Sequence, residues 1–227
     1  MPKSVLDNPV WTALNSIHTE ISIGQGPAKR FRPDISPLAG VLDQSCEHFS
    51  KLTALCTSGD ELNLFQASPI VLPSTFELIG AGVVWQLVKT NKETINHANI
   101  KMTELGYEHR LQMLELATLT KPGPFSESSY LFGGFLGVFE NDRLVAMAGE
   151  RLRQPGYTEV SGVCTHPDYR GRGLAKTLSS AVTNRVRSRN EDSYLHAYTD
   201  NAAAIGLYEN LGYEKRAKLN LVKVKVK

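Results

Sequence analysis

The chain has 227 residues, 41% of them hydrophobic and 21% charged, with a formal net charge of +2. Such a length fits one large domain or two smaller ones, and such a composition excludes a mostly disordered chain. The small net charge gives no global field for nucleic acid or an anionic membrane. Cys46, Cys56 and Cys164 suit neither a disulfide framework nor a metal cage, and no apolar run reaches the roughly 20 residues of a bilayer span, so a metal-free, cytoplasmic protein is expected.

In chain order, helical periodicity is read around Trp11 and over 38–55, and strands over 61–66 and 83–88. The polar stretch 90–94 is read as a connection between an N-terminal α/β unit, 1–94, with no legible motif, and a second unit, 95–227. In the second unit Tyr107, Leu111, Leu114 and Thr118 fall at helical spacing, ahead of the breaker cluster Lys121-Pro122-Gly123-Pro124. Strands over 135–139, 144–148 and 159–165 make an antiparallel meander, the first two joined by Asn141-Asp142. Leu174, Leu178, Ala181, Val182 and Val186 form one apolar helical face, and a short strand follows over 194–198. A last helix starts at Asp200 or Asn201, both good N-caps, buries Leu207 and Leu211 and stops at Gly212. The end, 219–227, alternates like a half-buried strand.

The stretch Thr165-His166-Pro167-Asp168-Tyr169-Arg170-Gly171-Arg172-Gly173-Leu174-Ala175 carries a strand through a glycine-rich turn into a helix. Gly171, Gly173 and Ala175 leave successive backbone N–H groups uncovered at the positive end of the helix, a setting that suits phosphate, and Arg170, Arg172 and Lys176 add charge. Two familiar phosphate loops fail here. Lys176-Thr177 follows Ala175 rather than glycine, and the dinucleotide fingerprint requires Gly or Ala where this chain has Lys176.

The loop Arg170-x-x-Gly173-x-Ala175, followed by Asn201 and then Leu207-Tyr208 and Leu211-Gly212-Tyr213, resembles the GNAT superfamily of N-acyltransferases. The likeness is close over 135–213 and extends more loosely over 95–227. It implies a mixed α/β fold with a central, mostly antiparallel sheet flanked by helices. Residues 1–94 carry no such likeness and are read either as a cover for the acceptor entrance or as a degenerate copy of the same fold. The resemblance further implies an acyl-coenzyme A cosubstrate, acetyl being the expected group. Gly171, Arg172, Gly173, Leu174 and Ala175 would hold its pyrophosphate beside Arg170, and Val163, Cys164 and Thr165 would pair with the pantetheine arm. By the same resemblance Asn201 would hydrogen-bond that arm and Tyr208 would protonate the departing thiolate. The two lie seven residues apart, about 10 Å along one helix face, with Leu207 turned toward the core.

Transfer to an amine requires the neutral nucleophile, while an alkylamine of pKa about 10.4 is protonated at neutral pH. Glu159 is therefore expected as the base and Glu150 as the second choice; His166, followed by proline at a turn, suits a structural role better. Cys164 as an acyl-enzyme nucleophile lacks an evident histidine and acid partner. The expected partners are a small-molecule or peptide amine and, by resemblance, a second copy of the chain, with no nucleic acid and no membrane. An inactive acyl-coenzyme A sensor is the alternative function. An RNA-binding reading of Arg170 to Gly173 lacks aromatic stacking platforms.

Overall fold

The computed structural model describes residues 4–91, 93–96 and 100–227; Lys92, in the expected connection, lies outside them. The elements are α1 (Pro9–Leu14), β1 (Ser22–Ile23), β2 (Ala28–Phe31), β3 (Leu38–Val41), α2 (Cys46–Thr53), β4 (Glu61–Gln66), β5 (Phe76–Lys89), β6 (Thr103–Leu105), α3 (Arg110–Thr120), β7 (Phe135–Glu140), β8 (Arg143–Gln154), β9 (Tyr157–Thr165), α4 (Leu174–Ser188), β10 (Asp192–Tyr198), α5 (Ala202–Glu209) and β11 (Glu214–Val226). Local chemistry fixes several of their limits. Asn141 and Asp142 adopt φ 49° and 61°, as a two-residue hairpin turn between β7 and β8 requires. Asn201 is the N-cap of α5, its Oδ1 accepting from the Ala204 amide at 3.0 Å, and Gly212 ends the turn after that helix at φ 81°.

The strands form one mixed sheet in the order β1-β2-β3-β4-β11-β5-β10-β9-β8-β7-β6. Within it β3–β4 and β9–β10 are parallel, each joined through a helix, and the other neighbours are antiparallel. The two halves of the chain share one order: a run of antiparallel strands, β1 to β3 in the first and β6 to β9 in the second, then a helix and a parallel strand. In each half the last strand crosses over, so that β11 lies against β4 and β5 against β10, and β5 and β11 pair with each other from Phe76 to Val88. The sheet thus runs unbroken across residue 94.

Three apolar clusters hold the layers. The first packs α1 and α3 on the sheet through Val10, Leu14, Met113, Leu116, Leu152 and Tyr194; the second sits under α4 and α5, and the third under α2 around Phe49, Leu62 and Val224. Two expectations change. Residues 38–41 form strand β3 rather than the start of a helix, because Gly40 lies so close to α1 that a Cβ there would stand 2.8 Å from the Trp11 nitrogen. Helix α3 buries Met113, Leu116 and Ala117, whereas Tyr107 and Leu111 are exposed. Its apolar residues surround the axis, so periodicity alone does not choose the packed face.

Candidate active site

Strands β9 and β10 pair only over Tyr157–Glu159 against Asp192–Tyr194. The divergence begins where β9 gains a residue relative to β8: Met147 pairs with Cys164 but Gly149 with Ser161, and Gly162 takes φ 62°. This bulge bends the strand and turns Val163, Cys164 and Thr165 toward a cleft of about 360 Å3. Arg170, Gly171, Gly173, Leu174 and Ala175 line the same cleft, and Ala204, Leu207 and Tyr208 of α5 face them. Leu207, expected to turn inward, is thus a wall of the cleft, because residues 204, 207 and 208 share one broad side of the helix. Thr120 and Tyr169 complete the lining. Nothing in the sequence marked Thr120, which arrives from the end of α3.

The glycine turn has the conformation its composition suggested. Gly171 and Gly173 adopt φ 77° and 75°, and a Cβ at either would meet nothing within 4 Å, so backbone conformation rather than crowding requires glycine. Gly173 is the N-cap of α4, and no side chain caps that helix, which leaves its first-turn N–H groups directed at the cleft. Uncovered amides at a positive helix end suit an anion such as a phosphate group. Arg172 lies outside the lining, its guanidinium 4.7 Å from the Tyr169 ring centre. Asn201 is also outside the lining, with its Oδ1 engaged in the cap.

Tyr208 is 8% exposed, and its hydroxyl has no hydrogen-bond partner among the described residues. Burial, reinforced by Tyr213 and Cys164, pushes its pKa far above the usual phenol value, so the hydroxyl stays protonated at any working pH. Burial likewise pushes the Cys164 thiol up to about 11, against a hydrogen bond with Thr120, and so removes the thiolate that acyl-enzyme chemistry needs. His166 is buried in the turn, its Nδ1 accepting from the Asp168 amide at 3.3 Å.

Neither carboxylate expected as base is free. Glu159, 1% exposed, accepts from Arg151 Nη2 at 2.6 Å and Nε at 2.8 Å, from the Leu152 amide at 3.3 Å, and from His196 Nδ1 at 2.7 Å. Burial raises its pKa, but the Arg151 charge and these bonds outweigh burial and hold it at about 2. Glu150 accepts from Arg189 Nη1 and Nη2, each at 2.9 Å. Both side chains belong to ion pairs that a strand pattern cannot reveal, since each partner is distant in sequence or on another element.

Among the described residues no group of three metal-ligating side chains occurs and no helix is long and apolar enough to cross a membrane. The family model described as FR47-like protein matches residues 135–222. An acetyltransferase of Pectobacterium atrosepticum is 44% identical over 50 residues, 22% of this chain and 36% of its own length, and one of Yersinia pestis 41% identical over 59 residues, 26% and 42%. An uncharacterized Mycobacterium leprae protein is 34% identical over 86 residues, 36% of this chain and 23% of its own length. The matches thus span less than half the length of these curated relatives. The solved structure of a GNAT-family protein from Novosphingobium aromaticivorans superposes with a TM-score of 0.92 at 34% identity, over 99% of this chain and 100% of that one. A GCN5-related N-acetyltransferase of Kribbella flavida, at 13% identity and TM-score 0.66 over 99% and 96%, shares the fold. With both halves matched end to end at that identity, the chain belongs to the GNAT family of acetyltransferases.

Proposed function

We propose that the chain transfers an acetyl group from acetyl-coenzyme A to a primary amine by direct attack in a ternary complex. The observation that carries this reading is the open edge of β9 leading into the uncapped N-terminus of α4, with the Tyr208 phenol across the cleft. When bound, the cosubstrate supplies an activated thioester. The amides of residues 173–175 and the Arg170 side chain hold its pyrophosphate; Val163, Cys164 and Thr165 offer main-chain groups to its amide-bearing arm, and Asn201 retains its Nδ2 for the same arm. The amine forms the new C–N bond as the C–S bond breaks, and Tyr208 gives its proton to the leaving sulfur and takes one back from water through the open cleft.

No Asp, Glu or His lines the cleft or the pocket beyond the bulge among the described residues, and Glu159 stays ionised and fully bonded. The amine therefore enters as the free base and gives its second proton to water. kcat/KM should rise with pH with unit slope toward the amine's own pKa, with no inflection near 4 to 7 from a protein base; such an inflection would restore a protein carboxylate or histidine to that role. The three unpaired thiols favour a reducing cytoplasm as the setting.

Calorimetric titration with acetyl-coenzyme A, followed by thiol release against an amine panel, tests the reading. Wild type should bind and turn over. Gly173→Glu should lose binding, since it sets a negative charge and a strained φ in the anion site, and Tyr208→Phe should keep binding while kcat falls about 10²-fold or more. Binding without turnover in wild type would indicate the sensor instead.

A further inference from the structure

A second, smaller pocket lies on the other side of the β9 bulge, bounded by Pro122 to Phe125, Phe135, Ser161 and Gly162, with Arg151 among its walls. It has room for about one water-sized group, about 10 Å3. Gly162 lines this pocket and the next residue, Val163, lines the larger cleft, so the two are neighbours across the bulge, and the small one has room for a single polar atom of an acceptor held between them.

The guanidinium of Arg151 is fixed from behind. Nε and Nη2 both donate to Glu159, while Nη1 has no protein partner among the described residues and lies 4.0 Å from where a Cβ on Gly123 would stand, at the pocket's edge. Glu159 is fixed in turn. An ionised carboxylate only accepts, so His196 donates through Nδ1, and its bare Nε2 takes a hydrogen from Gln86 Nε2 at 3.1 Å. Gln86 Oε1 accepts from Arg216 Nη1 at 2.7 Å, and Arg216 pairs with Asp7. A continuous chain of polar contacts therefore runs from the N-terminal half to the Arg151 Nη1 donor at the pocket, where the Ser161 hydroxyl also stands.

Resting on the transferase reading above, we propose that Arg151 is the acceptor-selecting residue and that the acceptor is an amine bearing a carboxylate, one oxygen of which accepts from Nη1. Glu159 is then a positioning residue, and the N-terminal half is part of the acceptor site. A carboxylate is favoured over an amide carbonyl because it brings a full negative charge, and not only an acceptor oxygen, to the guanidinium. An amine lacking any oxygen there leaves Nη1 desolvated and unpaired. The Phe125 and Phe135 rings, in edge contact at 5.8 Å, give the pocket an apolar wall with no carboxylate to attract an ammonium group, in keeping with attack by the free base.

The test measures thiol release at saturating acetyl-coenzyme A with a panel of α- and ω-amino acids, each beside its carboxamide and the amine without the carboxyl group, all compared per free amine. For at least one amino acid, kcat/KM should exceed that of the carboxamide about tenfold and that of the plain amine about a hundredfold or more. Arg151→Lys keeps the charge without the fork, and the double variant Arg151→Met/Glu159→Gln removes both buried charges together, which avoids stranding one. In both, the preference should collapse through KM while the Kd for acetyl-coenzyme A stays within about threefold of wild type. Carboxamides or plain amines used as well as amino acids by wild type, or a preference that survives in the variants, would overturn the assignment and leave the transferase reading standing. Acetyl-coenzyme A bound with no amine turned over would remove both.

Discussion

His18 shows how far one side chain's environment can depart from its sequence context. It is 5% exposed, wedged between the Phe31 and Phe132 rings, and its Nε2 accepts from the Arg153 amide at 3.0 Å. Burial lowers its pKa to about 4, against a hydrogen bond to the Arg151 backbone. Between the unfolded value of about 6.5 and 4 the unfolded chain takes up a proton that the folded one refuses, so stability falls as pH drops through that window. The loss approaches about 3 kcal/mol at pH 4. Urea denaturation at pH 7, 5.5 and 4.5 should show it, and His18→Gln, which keeps an acceptor for Arg153, should flatten the slope relative to wild type. An unchanged slope would place the proton uptake elsewhere.

At the scale of elements, two glycines in regular structure separate crowding from conformational cost. Gly40 in β3 has the Trp11 backbone against it, with the nitrogen 2.8 Å and the Cα 2.9 Å from an added Cβ, whereas Gly206 in α5 has nothing within 4 Å. Gly40→Ala should lose about 1–3 kcal/mol by pushing α1 off the sheet. Gly206→Ala should gain about 0.5–1 kcal/mol from helix propensity. Chemical denaturation of both variants checks the pair, and a tolerated Gly40→Ala would mean that α1 shifts at little cost. The helical reading of 38–55 holds only from Cys46, where α2 begins; ahead of it Leu38, Ala39 and Val41 are buried, a pattern that fits either structure until the position of α1 is known. The limits of α5, by contrast, were legible because Asn201 and Gly212 act on their own backbone.

Across the whole molecule the exchanged strands make the halves interdependent. β5, from the N-terminal half, lies between β10 and β11 and pairs with both. The segment 121–134, which borders the smaller pocket, is also tied to the N-terminal half, Ser126 Oγ donating to the Asp34 and Ile35 carbonyls at 2.7 and 2.9 Å. A fragment of residues 95–227 would expose β10 and β11 edges that the full chain pairs, so it should fail to fold alone and fold on co-expression with residues 1–94. Circular dichroism and amide NMR dispersion of the fragment decide this; a dispersed spectrum from the fragment alone would show that the C-terminal unit carries its own core.

The sequence by itself determined the glycine turn, the helix it opens and the cap of α5, because each depends on residues within about two helical turns of one another. Only the tertiary structure decided what surrounds them. The crossing of β5 and β11 depends on pairings more than a hundred residues apart in the chain, and Glu159 reads as an ordinary strand carboxylate until Arg151 and His196 close on it. A local pattern records which backbone conformations are allowed, whereas the proton affinity of a buried carboxylate is set by charges and donors that folding brings within hydrogen-bond distance.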